Sequence, residues 1–156
     1  MNTLQDAKQL QERTKHFAIR IIRAFSRFPK EESSRIIARQ FLRAGTSVAA
    51  NYRASCRARS HADFISKISI VAEEADETLF WLELLVESQL IDRQLVLPLM
   101  GECEQLVKIF AASLTTAKRN RTMPLMPDCR SDFQPKQART SLRHPRFSEA
   151  TPSGTI

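Results

Sequence analysis

SHADFISKISIVAEEADETLFWLELLVESQ, residues Ser60–Gln89, carries more apolar surface than one partner helix can cover. Its opening residues, Ser60 and Asp63, have the spacing in which a serine hydroxyl caps a free N–H three residues on and the carboxylate reaches back. A helix begins here. Phe64, Ile68, Ala72, Ala75, Leu79, Leu82 and Val86 then recur every three or four residues, which lines them along one helical face. A second line, Ile65, Val71, Phe80, Trp81, Leu84 and Leu85, widens that face. The width predicts a helix that is buried, or one that also meets another subunit.

Working outward, a chain of 156 residues with 42% hydrophobic composition suits one compact domain with some length to spare. It has only three glycines, and no segment alternates apolar and polar residues between turn signals, so strands find no support and the class is all-α. No run of apolar residues is long enough to span a bilayer. Asp6, Lys8, Glu12, Arg13 and Lys15 break up the region where a signal peptide would hold its apolar core, so the expectation is a cytoplasmic protein without a membrane partner. Cys56, Cys103 and Cys129 are odd in number and lack C-x-x-C spacing, which argues for reduced thiols rather than a disulfide framework or zinc site.

The net charge of +7 is unevenly placed. Residues 1–59 hold thirteen Lys/Arg against four Asp/Glu, residues 60–117 three against ten, and residues 118–156 eight against three. The basic first half has two readings: it neutralises the acidic second half within or between subunits, or it presents a positive surface to a polyanion.

The first helical pattern runs from Leu4 to Phe28, with Leu10, Phe17, Ile21, Ala24 and Phe28 on its inner stripe. Arg13, Arg20 and Arg27 follow at heptad spacing, with Arg23 nearby, and form a basic ridge about two turns per step. A ridge of this kind is either a solvated face or a binding face. Pro29, Glu31 and Glu32 suit a reversal into a second helix. That helix is expected over about Ser33–Arg57, with Ile37, Phe41, Ala44, Val48 and Tyr52 inward and Arg35, Arg39 and Arg43 four apart on another side.

Small residues crowd its second half, GTSVAANYRASCRARS. Glycine inside a helix costs about 0.5–1 kcal/mol relative to alanine, so Gly45 is expected to allow close packing against a bulky partner such as Phe80 or Trp81. Ser47, Asn51 and Ser55, four apart, read either as a buried polar row or as side chains bonding to backbone carbonyls. The short link to Ser60 implies an antiparallel helical hairpin. Beyond Gln89, Asp92 offers an N-cap and Pro98 belongs in a first turn, so the fourth helix is expected to start twice, as a short turn from Asp92 and properly from about Leu97. Leu99, Cys103, Leu106, Phe110 and Leu114 carry its apolar stripe.

The resulting expectation is an antiparallel up-and-down four-helix bundle over residues 1–119. A disordered, basic, proline-containing tail is expected over residues 120–156, where Pro124, Pro127, Pro135, Pro145 and Pro152 interrupt a segment poor in apolar residues. Phe133 and Phe147 are its aromatic residues and could stack on bases; equally, the tail reads as a solubilising extension.

Catalytic and metal chemistry lack the needed patterns. A di-metal bundle uses paired Glu-x-x-His motifs, whereas Glu12 and His16 are four apart and occur once. The acidic run Glu73, Glu74, Asp76 and Glu77 reads as a face that meets arginines rather than as a general acid–base pair. Cys56 sits among Arg53, Arg57 and Arg59 but has no histidine at a recognisable spacing, and no glycine-rich phosphate loop is present. The expectation is therefore no enzyme activity, no metal and no cofactor.

Two portions are distinctive: Ser47–Arg59, with Ala50-Asn51-Tyr52-Arg53-Ala54, and Glu73–Leu85, with Glu74-Ala75-Asp76-Glu77-Thr78 and Trp81-Leu82-Glu83-Leu84-Leu85. In these the chain resembles the four-helix bundle proteins of intervening sequences in large-subunit ribosomal RNA genes, over about Phe17–Ala117. The resemblance implies an antiparallel bundle assembled as a homo-oligomeric ring, a pentamer, with no established enzyme activity. Where many members carry a proline and an Ala-Glu-Gly stretch near the end of the second helix, this chain has Ala49 and Arg53-Ala54-Ser55, the mark of a variant branch. Similar barrel-shaped bundles accompany retroelement reverse transcriptases, which makes a reverse transcriptase, RNA or DNA the implied partners.

The expected function is a non-enzymatic oligomeric scaffold that binds nucleic acid through Arg20, Arg27, Arg35, Arg39, Arg43, Arg53 and Arg57, mainly at phosphates. Phe80, Trp81, Leu84 and Leu85 are the expected oligomer interface. The alternative is a self-assembly or protein-interaction module with no nucleic-acid ligand.

Overall fold

The computed structural model describes residues 3–120, and side chains from residue 5 onward. Four helices, α1 (Thr3–Phe25), α2 (Glu32–Ser55), α3 (His61–Glu87) and α4 (Arg93–Arg119), account for nearly all of them. Short links force each helix to run antiparallel to the one before it. α2 packs on α1 and most extensively on α3, α3 packs on α4, and the circuit closes where α4 meets α1, the sparsest of the four seams. This is the expected up-and-down four-helix bundle. The tail expected beyond residue 120 lies outside the described residues.

The interior is built from the stripes that the periodicity marks. Phe17 and Ile21 of α1, Phe41 and Val48 of α2, Ile68 and Leu82 of α3, and Leu106 and Phe110 of α4 are fully enclosed. Phe28, just past α1, stacks at a tilt on Phe41 with ring centroids 5.3 Å apart, and Tyr52 meets Phe110 at 5.5 Å. Buried hydroxyls are absorbed by their own helices: Thr78 donates to the Glu74 carbonyl at 2.6 Å and Ser55 to that of Tyr52 at 2.8 Å. For Ser55 the backbone-bonding reading of the small-residue row therefore holds. None of the described helices is long and apolar enough to cross a membrane.

Helix ends follow local chemistry. Ser60 caps α3 by accepting from the Asp63 N–H at 3.1 Å, while the Asp63 carboxylate reaches one residue beyond the cap to accept from the Arg59 N–H at 2.9 Å. α3 closes with Gln89 in the left-handed region at φ 58°. There the Leu90 N–H bonds back to the Leu85 carbonyl at 3.1 Å and the Gln89 N–H to that of Val86 at 3.0 Å, the paired bonds of a Schellman closure.

Two expectations need correction. α4 starts once, at Arg93: Asp92 caps it by accepting from the Gln94 N–H at 2.9 Å, and Pro98 lies inside the helix. Proline withholds a single backbone donor, and so near the N-terminus the remaining turns still form. Gly45 does allow close approach, but its partner is Ile21 of α1 rather than Phe80 or Trp81.

Candidate nucleic-acid interface

α2 turns most of its arginines away from the core. Arg35 and Arg53 are eighteen residues apart, five full helical turns, and so project on the same side; Arg39 flanks that line, Arg57 lies in the turn just past the helix end, and all four are exposed. Exposure follows from sequence, because the opposite face is committed to Phe41, Ala44, Val48 and Tyr52.

Arg43 stands on the α3 edge of that line and is engaged. Its Nη2 donates to Glu77 Oε1 at 2.8 Å and its Nε to Gln40 Oε1 at 3.2 Å. The same Glu77 oxygen accepts from the Trp81 indole N–H at 3.0 Å, so one carboxylate ties the two helices together. The acidic run thus meets an arginine, as its pattern suggests. Glu74 beside it has one carboxylate oxygen buried without a hydrogen-bond partner. Burial pushes the Glu74 carboxyl above the usual range, and the nearby Arg43 charge only partly opposes this.

Arg20 and Arg27 stand elsewhere, on the α1–α4 seam. At the upper part of this seam Arg13 makes a forked contact across to α4: Nε to Glu102 Oε1 at 2.7 Å, Nη2 to Glu102 Oε2 at 3.2 Å, and Nη2 to Gln105 Oε1 at 2.7 Å. The bond to Glu102 raises the Arg13 pKa further. A cleft of about 560 Å³ opens around this clamp, lined by Lys8, His16, Arg20 and Phe17 among others. Below it, a second groove of about 330 Å³ has Arg20, Arg23 and Arg27 along one side and an apolar floor that includes Phe28, Val96 and Leu99. The seven arginines therefore form two sets: the α2 set, and Arg20 with Arg27 on the far side of α1. The seam was missed by sequence reading, although Arg13, Arg20 and Arg27 at heptad spacing beside an apolar start to α4 carried the signal.

Of the expected interface residues, Phe80 is 52% exposed, Trp81 and Leu84 are half-buried, and Leu85 is enclosed in the protomer's own core. The Phe80 ring meets Trp81 edge-on at 5.0 Å. Cys56 and Cys103 are buried free thiols. Burial first, and then the surrounding carboxylates, Asp76 foremost, push the Cys103 thiol up to about 12. Among the described residues no group of three His, Cys, Asp or Glu could hold a metal ion.

Fold and surface together define an antiparallel helical bundle whose chemistry lies on its outer faces and seams. The chain belongs to the 23S rRNA-intervening sequence protein family, whose model matches residues 7–112. It is similar to a crystal structure from Bacteroides thetaiotaomicron, described as a protein of unknown function from the S23 ribosomal protein family. The two share 31% identity and a TM-score of 0.64, over 70% of this chain and 97% of that one. No curated protein matches the chain.

Proposed function

We propose that the protein is a non-enzymatic, self-assembling bundle that binds RNA or DNA through arginines on the outer side of α2. The observation that carries this reading is the exposed line of Arg35, Arg39, Arg53 and Arg57. Within α2 the line runs 18 residues from Arg35 to Arg53, about 27 Å at the helical rise, and Arg57 follows in the turn just past the helix end. Guanidinium groups on a rigid helix at that length suit repeated phosphate contact without base reading.

The test is binding of structured RNA and duplex DNA across a salt series, for the parent chain and a variant with all four arginines changed to alanine. Four phosphate contacts give a slope of log K against log salt of about −3.6 on duplex DNA, and the variant loses it. Equal binding by both forms rejects the α2 line as the site.

A second reading rests on Arg13 and Arg43, which are occupied by Glu102 and Glu77 within the chain. It makes the charge pattern a device for self-assembly or protein contact alone. Under it the α2 variant changes oligomer mass, and the parent shows no nucleic-acid affinity at any salt.

A further inference from the structure

We infer that the groove between α1 and α4 receives the outer ridge of α3 from a second copy of the chain, so that Arg20, Arg23 and Arg27 serve assembly rather than nucleic acid. The inference rests on the self-assembly part of the function proposed above and specifies its two surfaces.

The ridge is an apolar point in an acidic field. Phe80 is 52% exposed although its neighbour Trp81 is anchored by the bond to Glu77. Around Phe80 on the same helical face stand Asp76 and Leu84 at four residues, Glu83 at three, and Glu73 and Glu87 at seven. All four of these carboxylates are exposed.

The groove has the opposite character. Arg20, Arg23 and Arg27 line one side, no carboxylate lines it, and Ala24, Phe28, Val96 and Leu99 make an apolar floor. Leu95 stands at its edge with 77% of its surface exposed, more than any other large apolar residue described. α1 and α4 pack least closely of the adjacent helices, and although the floor residues Val96 and Leu99 are themselves buried, Leu95 is left uncovered at the groove's rim. Arginine and exposed aromatic residues are the types enriched at protein interfaces.

Charge selects among the possible pairings. Two ridges brought face to face oppose eight carboxylates, and two grooves oppose six guanidinium groups, so both symmetric pairings carry like-charge repulsion. A ridge against a groove joins opposite charges and covers Phe80 and Leu95 together. That pairing is heterologous, with each copy using one surface to give and the other to receive.

Such an interface has a distinctive test in full-length protein. One variant, Arg23→Glu with Arg27→Glu, disables the groove; another, Phe80→Asp, disables the ridge; all three positions are exposed, and circular dichroism checks that helicity is retained. Mass is measured by light scattering for the parent, for each variant and for their equimolar mixture. The expected result is an oligomeric parent, monomeric variants with at least tenfold weaker self-association, and a mixture that forms a dimer of one copy of each and grows no further. If the groove variant misfolds, Leu95→Glu replaces it. A groove variant with the parent's mass, or a mixture that stays monomeric, overturns the inference while leaving self-assembly intact. A monomeric parent overturns both.

Discussion

Gly45 faces Ile21 so closely that a Cβ added to the glycine would lie 2.8 Å from three atoms of the isoleucine side chain. Ile21 is fully enclosed and branched at Cβ, so it has little freedom to turn aside. Gly45→Ala is therefore expected to destabilise the fold by about 1–3 kcal/mol through overpacking, outweighing the 0.5–1 kcal/mol or so that alanine gains in a helix. Urea denaturation measures the balance, and a second change, Ile21→Val, should recover part of the loss. A stabilised Gly45→Ala protein would show that α1 and α2 can move apart.

At the other end of the accounting, Gln89 holds a left-handed conformation that an L side chain adopts at a cost of about 1–2 kcal/mol. Gln89→Gly should raise stability by about 1 kcal/mol or slightly less, since glycine also loses more freedom on folding. Thermal unfolding of the two proteins side by side reads the difference, and an unchanged or lowered midpoint would count against the Schellman closure.

These two sites show what the sequence made legible and what it did not. A glycine among small residues on α2 announced a close approach, but a single sequence does not say which helix approaches, and the bulky Phe80 and Trp81 drew the wrong pairing. The end of α3 was placed at Gln89 by its pattern, yet nothing marked the residue as left-handed because no glycine stands there. Stripes such as Phe41, Val48 and Tyr52 were readable because burial imposes a period on one helix at a time. The α1–α4 seam was not, since Arg13 and Glu102 lie far apart in the chain and meet only once the bundle has closed.

The Arg13 clamp should be sensitive to shape as well as charge. Lysine at position 13 keeps the cation but cannot fork between Glu102 and Gln105, so Arg13→Lys and Arg13→Ala should both weaken the α1–α4 seam, by about 0.5–1 kcal/mol at low salt for this partly exposed pair. Raising salt to 1 M shortens the screening length to about 3 Å and should narrow the gap between parent and variants.

Asp63 couples the start of α3 to pH. Its carboxyl is held below the usual range, chiefly by Lys67 and also by the Arg59 N–H. The stabilisation is thus complete above the carboxyl's pKa in the unfolded chain and is lost as pH falls through the lower folded value. Denaturant midpoints of the parent and Asp63→Asn, compared across an acid series, should differ near neutrality and converge as the solution is acidified. A gap that stays constant with pH would remove Asp63 from the acid response.

Cys103 should be silent toward thiol reagents. It is fully enclosed, its Sγ lies 3.5 Å from the Ala75 carbonyl oxygen, and its pKa of about 12 leaves almost no thiolate near pH 7. Alkylation mapped by mass spectrometry should mark position 103 only after denaturant is added. Rapid labelling of native protein there would reveal frequent opening between α3 and α4.

Trp81 is the single tryptophan of the chain, and its indole N–H ends on the carboxylate that also receives Arg43. Light absorbed by indole alone therefore reports from one known place, where α2 and α3 join beside the exposed Phe80 ring. A spectral shift that accompanies dilution reads out the α3 face, one that follows Glu77→Gln reads out the tie between helices, and neither needs an added dye. The protein carries its own optical probe at the spot where its architecture and its acidic surface coincide.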